Sequence, residues 1–214
     1  MIGVTGARRL SDSAAWSPGV EEMLLSVVRA TTAIHRSSRV EEALQLATHE
    51  ARKIIGAHQA AVSLNAADGG VKIQTISLSE KYAAWRGYDE KPTGGGIYKV
   101  VSENGRAMRL TQAELVAHPA WRGFEGLNGH PPMRGWLAAP LRTRTGVPLG
   151  VIQLSDKFKG DFTIADEAVL SELAAVAASA IEMLQLRADK HASDKLFGAI
   201  FANAALGIAI AQRD

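Results

Sequence analysis

The segment His130–Leu173 reads HPPMRGWLAAPLRTRTGVPLGVIQLSDKFKGDFTIADEAVLSEL and decides the fold of this chain. It contains two apolar runs, Gly135–Thr143 and Pro148–Asp156, which are typical of strands. The residues between them, 144–146, end in glycine and predict a tight turn. The sequence therefore predicts an antiparallel β-hairpin here.

A long helix is predicted directly after this hairpin. Thr163 is a favourable N-cap residue, and Asp166 stands where a capping box requires an acid. No stop signal follows before about Lys195. One apolar stripe, which we expect to cover the sheet, consists of Leu170, Ala174, Ala177, Ile181 and Leu184. A second stripe at heptad steps consists of Val169, Leu173, Val176, Ala180 and Met183.

The second stripe needs a partner of its own. The simplest partner is the same helix of a second subunit, and the first helix of the chain is also heptad-like. We therefore prefer a homodimer held by its N- and C-terminal helices. The alternative is that both stripes pack within one subunit.

The N-terminal quarter of the chain predicts a tail and two helices. Residues 1–18 are small and polar without periodicity, which indicates a mobile tail. Apolar residues from Val20 to Ile34 recur at helical spacing and predict the first helix. Ser38 and Glu41 predict a capping box for the second helix. Gly56 is placed to end that second helix.

The middle of the chain predicts strands and a long lid. Gln59–Leu64 and Val71–Ser79 read as strands on either side of a turn rich in Asn, Asp and Gly. The stretch Glu80–His130 is long and irregular, as lids over pockets often are. Within it, Gly96–Asn104 predicts a short helix and Ala107–Leu110 an edge strand.

This order of elements resembles the GAF domain, a small regulatory fold of many bacterial sensor proteins. The resemblance covers about Leu24 to Leu186 and is strongest over Met133–Ala175. There, MRGWLAAPL and LGVIQLSDK are similar to GAF modules that precede PAS domains in bacterial histidine kinases. The resemblance implies an α/β (α+β) fold with a central antiparallel sheet of about six strands. The N- and C-terminal helices would pack on one face and lid loops on the other.

The C-terminal segment Lys195–Ile210, KLFGAIFANAALGIAI, resembles the opening of a PAS domain, in which an amphipathic helix leads into the first strand. We therefore expect residues 1–18 to be the tail and residues 19–186 the GAF sensory domain. Residues 187–214 would be a signalling-helix linker and the start of a truncated PAS domain. The parent protein would then be a sensor histidine kinase of a two-component system.

Five residues from the end of the hairpin to the start of the helix resemble a motif of cyclic-nucleotide-regulated GAF domains: Asp156, Lys157, Phe162, Asp166 and Glu167. Asp156 stands in place of the family's asparagine. Lys157 at the strand end can pair with Asp166 near the positive end of the helix dipole. Phe162 can fill the joint, and Glu167 completes the acidic pair. We favour a structural clamp between strand and helix over cyclic-nucleotide binding.

The run His130-Pro131-Pro132-Met133-Arg134 resembles the haem-binding GAF domains of mycobacterial oxygen- and redox-sensing kinases. The resemblance implies that His130 is the proximal iron ligand and that Gln153 lies where the family has a distal tyrosine. The alternative is a capping or loop histidine. The ligand or cofactor is otherwise unknown.

Aromatic residues concentrate in or beside the predicted lid. They indicate either an apolar pocket for a flat ligand or a staple that holds the loop to the sheet. Together with His130 and Gln153, the candidate pocket residues are Trp136, Tyr98, Trp121 and Phe124.

Composition excludes several function classes. Lys and Arg number 24 against 22 Asp and Glu, a net charge of +2, so a nucleic-acid partner is not indicated. The chain has no cysteine, which excludes a covalent bilin and the cysteine chemistry of methionine-sulfoxide-reducing GAF proteins. No hydrolase or zinc-protease motif occurs, so we expect no catalysis. No signal peptide or span of about 20 apolar residues is recognised, so we expect a cytoplasmic protein.

Three functional hypotheses follow. The first is a non-enzymatic sensory domain that binds a small ligand, dimerises, or does both, and signals through its C-terminal helix. The second is a haem-based gas or redox sensor that uses His130. The third is a dimerisation spacer without a ligand.

Overall fold

The computed structural model describes residues 18–66, 70–87, 95–123 and 130–211, with side chains described from residue 19 to residue 197 within those ranges. Residues 1–17 of the predicted tail lie outside the described residues. The helices are α1 (Pro18–His35), α2 (Val40–Ile55), α3 (Gly96–Asn104), α4 (Gln112–Ala117) and α5 (Ile164–Ala211). The strands are β1 (Ala57–Asn65), β2 (Val71–Leu78), β3 (Met108–Leu110), β4 (Trp136–Arg142) and β5 (Pro148–Lys157).

The strands form one antiparallel sheet in the order β2-β1-β5-β4-β3. The predicted hairpin is confirmed as β4 and β5, and the predicted edge strand as β3. About six strands were expected, and the described part of the chain has five. The helices α1, α2 and α5 pack together against the sheet, as expected, so the fold is α+β.

The main core lies between the sheet and α1, α2 and α5. The helix α2 presents the fully buried residues Ala43, Ala47 and Ala51, whose small side chains let its backbone lie close to the sheet. From the sheet, alternate residues of β5, Ile152 and Leu154, enter this core. Truncating such a leucine to alanine costs about 2–5 kcal/mol.

A smaller apolar cluster lies on the opposite face of the sheet. Val101 of α3 and Leu115 of α4 pack there against Trp136 and Val151. This cluster fixes α3 and α4 to the sheet.

Local signals placed most helix ends correctly. Gly56 ends α2 in the left-handed conformation at φ 75° and its N–H donates to Arg52 O at 3.1 Å. The capping box predicted from Ser38 and Glu41 is wrong. The Ser38 N–H donates instead to Glu42 Oε2 at 2.9 Å, because the helix begins at Val40 and the acid one turn on is therefore Glu42.

The stretch predicted as an irregular lid contains more helix than expected. A short 3-10 helix covers Glu80–Trp85. The helix α4 begins at a capping box in which Thr111 Oγ1 accepts from the Glu114 N–H at 3.3 Å. The predicted helix Gly96–Asn104 is confirmed as α3.

The helix α5 differs from its prediction in two respects. It remains helical to Ala211, so the strand expected at the end of the segment 195–210 is not formed. Leu173 and Ala180 of the predicted dimer stripe are 0% and 4% exposed within the single chain, because α1 and α2 pack against α5. Only the remaining stripe residues keep surface: Val169, Val176 and Met183.

In the described residues, α5 is the one helix long and apolar enough to meet a length-and-composition criterion for a membrane span. Most of its apolar residues from Leu170 to Ile181 are buried against the sheet and the neighbouring helices. The core helix of a globular domain meets the same criterion, so this helix is weak evidence for a membrane span.

Candidate functional site

A cleft opens on the face of the sheet opposite α5. Its floor is formed by side chains that alternate outward from β1, β2 and β5, and its wall by the segment 130–133. The methyl group of Ala61 lies between Ile76 on one neighbouring strand and Gln153 on the other, since these residues are register partners. Because alanine is small, space remains there. The cleft encloses about 50 Å³ and is open to solvent.

The wall segment is held down by hydrogen bonds to strand side chains. Gln59 Nε2 donates to Pro132 O at 2.6 Å. Ser155 Oγ accepts from the Arg134 N–H at 3.0 Å and donates to Gly135 O at 2.9 Å. These bonds fix the entrance of the cleft without using a charged side chain inside it.

Three of the predicted pocket residues line this cleft: His130, Gln153 and Trp136. The indole Nε1–H of Trp136 donates to Gln153 Oε1 at 3.1 Å, which orients the glutamine amide. His130 Nδ1 lies 2.6 Å from Pro131 O and therefore carries the hydrogen, because a carbonyl only accepts. Burial lowers the pKa of His130, against a smaller opposing effect of that hydrogen bond, so the ring is neutral at pH 7.

The cleft does not fit a haem. About 50 Å³ gives room for roughly four water molecules, since one requires about 10–15 Å³ of such space. Pockets for drug-sized ligands take about 300–1,000 Å³. The expected distal residue, Gln153, is bonded to Trp136 instead of facing an open haem pocket.

The other aromatic candidates do not line the cleft. Tyr98 is buried and its hydroxyl donates towards Ser63 O at 3.1 Å and Asn65 Oδ1 at 2.9 Å. Its burial raises the pKa of the phenol well above its usual value. Trp121 packs against the same small cluster. These two residues therefore act as the staple of the alternative prediction, and Phe124 lies outside the described residues.

A buried carboxylate stands next to the cleft wall. Asp156 is 1% exposed and accepts hydrogen bonds from Arg134 Nε at 2.6 Å, from Tyr82 Oη at 2.8 Å and from Lys81. Its burial acts to raise the pKa, but these three bonds outweigh it and hold the pKa at about 2. Asp156 thus joins β5 to the 3-10 helix and to the wall segment, and the prediction that it belongs to the strand–helix clamp is wrong.

The clamp itself forms between the other predicted residues. Lys157 pairs with Asp166, whose carboxylate also accepts from the Thr163 N–H at 2.6 Å. Phe162 is 4% exposed and fills the joint. Glu167 Oε2 lies 3.4 Å from Nε of Arg109 on β3, and this ion pair ties the edge strand to the start of α5.

Sequence reasoning missed most of the cleft lining, including Gln59, Ala61 and Gln74. Each belongs to a predicted strand, and each alternates onto the cleft face. The available signal was the presence of glutamine at alternate positions in otherwise apolar or small-residue strands, which is unusual for a core-facing position.

Comparisons with known proteins support the fold. The family model of the GAF domain matches residues 37–182. The chain is similar to the GAF domain of a phosphoenolpyruvate-protein phosphotransferase from Coxiella burnetii, with 22% identity, a TM-score of 0.63 and coverage of 81% of this chain and 99% of that one.

Two further solved structures show the same fold in other settings. Free methionine-R-sulfoxide reductase from Neisseria meningitidis, in complex with its substrate, is 13% identical with a TM-score of 0.62, and the match covers 81% of this chain and 96% of that one. Residues 122 to 287 of a methyl-accepting chemotaxis protein are 15% identical with a TM-score of 0.61, over 73% of this chain and 97% of that one. At these identities the similarity shows the fold alone.

Proposed function

This chain belongs to the GAF domain family, and we propose that it is a non-enzymatic regulatory domain of a bacterial signal-transduction protein. A small ligand binds in the cleft between the segment 130–133 and strands β1, β2 and β5. Its binding changes the position of α5, which passes the signal to an output domain.

The observation that carries this proposal is the alternation of β5. Gln153 and Ser155 face the cleft, while Ile152 and Leu154 enter the core that also holds α5. The strand β5 therefore contributes side chains both to the cleft and to the core that holds α5. Because close-packed interiors transmit displacement, a shift of β5 at the cleft reaches α5 directly.

The form of α5 fits a transmitting element. Its 48 residues correspond to about 72 Å of helix. Side chains from Gln185 to Phe197 are exposed all round, so the helix leaves the domain after its packed first half. We propose that it leads to the output region of a cytoplasmic sensor histidine kinase, with a PAS domain next in order. That order rests on the sequence resemblance of segment 195–210 to a PAS opening. The strand that this resemblance also implies is helix in this structure.

Dimerisation through α1 and α5 is part of the proposal. Large apolar side chains are exposed on both helices, among them Leu25 at 51% and Val28 at 61% on α1 and Leu186 at 63% on α5. The two helices contact each other in the single chain, so we propose that these residues contribute to one dimer surface. This surface replaces the stripe predicted from heptad spacing, because Leu173 and Ala180 are already buried.

The ligand part of the proposal is tested by filling the cleft. Ala61→Leu adds three carbons at the centre of the cleft floor, and the exposed Ala113→Leu on α4 is the matched control. A metabolite collection is screened by thermal shift against the wild type and both variants. We expect at least one compound to raise the melting temperature of the wild type and the control but not of Ala61→Leu.

The transmission part is tested by disulfide crosslinking. Because the chain has no cysteine, Met183→Cys gives a single reactive site on the partly exposed face of α5. The crosslinking rate is measured with and without the compound found in the screen. If the compound leaves the crosslinking rate at position 183 unchanged, transmission through α5 is contradicted. A screen in which no compound binds would favour the ligand-free dimerisation spacer.

A further inference from the structure

The cleft is an uncharged environment. None of the described residues that line it is Asp, Glu, Lys or Arg. Among these described lining residues the one titratable side chain is His130, which is neutral at pH 7 because burial lowers its pKa. An ionised group that enters such a site loses its hydration and meets no opposite charge.

Three glutamines line the cleft, and Gln59 Nε2 already donates to Pro132 O, which leaves the amides of Gln153 and Gln74 to meet a ligand. Gln153 Oε1 is occupied by the Trp136 indole, and its NH₂ group donates to no residue that the structure describes. Gln74 makes no side-chain hydrogen bond within the described ranges. It therefore presents a carbonyl and an NH₂ group together. The amides stand on strands β2 and β5, which flank β1. Gln153 is paired with Ala61, and Gln74 is paired with Ser63, two residues further along β1.

Apolar side chains also line the cleft, among them Ile76, Leu78 and Met133. The enclosed space of about 50 Å³ admits a group of only a few heavy atoms, with the rest of any larger molecule at the open side. Buried polar groups gain most from a partner that satisfies both donor and acceptor.

We propose that the cleft selects an uncharged ligand that carries a primary carboxamide or a similar carbonyl–NH pair, with Gln153 donating to its carbonyl and Gln74 pairing with both of its polar atoms. This inference rests on the proposed function and names the ligand class of the same site. It excludes carboxylates and phosphates as the recognised group, because no cation stands among the described residues that line the cleft.

The test compares propionamide with propionate, which have the same shape and number of heavy atoms but differ in charge at pH 7. Each is titrated to tens of millimolar into ¹⁵N-labelled full chain, and the side-chain NH₂ resonances of glutamine are followed by NMR, since so small a ligand binds weakly. We expect propionamide to shift the Gln153 and Gln74 resonances and propionate to bind at least about tenfold more weakly, because a carboxylate loses hydration there.

Variants assign the effect to the amides. Gln153→Glu keeps the acceptor for Trp136 but replaces the NH₂ donor with a carboxylate, and the exposed Gln185→Glu on α5 is its control. Gln74→Met, which adds no charge, serves as a second variant of the same site. We expect both cleft variants to lose the propionamide response and the control to keep it.

The outcomes separate this inference from the proposed function. Propionate binding as tightly as propionamide would overturn the inference and leave the proposed ligand site intact. If neither binds while the metabolite screen finds a compound that Ala61→Leu excludes, the inference alone is wrong. If neither binds and the screen also finds nothing, both fall.

Discussion

The substitution Asp156→Asn tests the buried carboxylate that holds the wall of the cleft. Asp156 accepts from Arg134, Tyr82 and Lys81, and its backbone has a positive φ of 56°. Asparagine has the same size and adopts this left-handed conformation more readily than most residues. The variant therefore removes the charge without straining the backbone.

The size of the effect follows from the pKa of the carboxyl. Burial acts to raise the pKa, and the three hydrogen bonds lower it from 3.8 to about 2. Each pKa unit corresponds to about 1.4 kcal/mol, so the folded protein favours the ionised form by about 2 kcal/mol. Lys81 and Arg134 are half exposed and regain water when the charge is lost. The free energy of unfolding that Asp156→Asn loses is therefore about 2 kcal/mol, below the roughly 3–5 kcal/mol that breaking a fully buried ion pair costs.

The effect depends on pH with a defined sign. Because the pKa of Asp156 is lower in the folded than in the unfolded protein, its contribution is fully present above the unfolded value of 3.8. It is lost as the pH falls through the folded value of about 2. The stability difference between wild type and variant is therefore constant near neutral pH and shrinks below about pH 4.

Urea unfolding followed by tryptophan fluorescence measures this difference at neutral and acidic pH. Asp161→Asn, at an exposed position in the connection to α5, is the matched control and is expected to leave stability unchanged. A difference below about 0.5 kcal/mol at pH 7, the range of ordinary surface substitutions, would refute the reasoning. So would a difference that persists unchanged at the lowest pH where the fold survives.

Three further predictions follow from the packing and the cleft. Gly150→Ala should lower the melting temperature strongly in a thermal scan, because its Cβ would lie 2.0 Å from a backbone carbonyl oxygen of β1, whereas Gly87→Ala has open space and should not. Leu186→Glu should shift the protein from dimer to monomer in sedimentation analysis, whereas Val116→Glu, an equally exposed apolar position on α4, should leave the dimer intact. Protein purified from haem-supplied cells should show no Soret band. A Soret band that His130→Ala abolishes would contradict the conclusion that the cleft does not fit a haem.

Most of the fold could be predicted because its signals are local. The helix Gly96–Asn104 was predicted with the observed ends, since Gly105 stops it in a left-handed conformation at φ 64°. The hairpin of β4 and β5 follows from its turn. The error at Ser38 has a local origin too, since Glu41 and Glu42 are adjacent and the sequence does not show which one begins the first turn.

The site could be predicted only in part because it depends on distant contacts. His130, Gln153 and Trp136 belong to the strongly patterned segment and line the cleft together. The partners of Asp156 lie 75 residues away at Lys81 and 22 residues away at Arg134, and no periodicity connects them. A heptad pattern likewise shows that the second stripe of α5 is covered. It does not show whether the cover is the chain's own α1 and α2 or a partner.

The position of β5 in the sheet limits how a ligand can act on α5. Gln153 is paired on one side with Ala61 of β1 and on the other with Ala138 of β4. A slip of one residue would turn each core side chain of β5 to the wrong face, so β5 moves only together with its neighbours. We therefore expect a ligand in the cleft to tilt or shift α5 as a rigid body.

A tilt of α5 displaces the end of the helix more than its packed first half, whereas a shift along the helix axis displaces both parts equally. The part of α5 after residue 187 is about 36 Å long, so a tilt of about 5° moves its end by roughly 3 Å. Spin labels on Met183→Cys and Leu196→Cys in the dimer measure this. A tilt predicts a larger ligand-dependent distance change at 196 than at 183, whereas equal changes would indicate a shift along the helix axis. We expect the larger change at 196, because the packed first half of α5 is held at Thr163 and Asp166 by the clamp with Lys157, which opposes sliding.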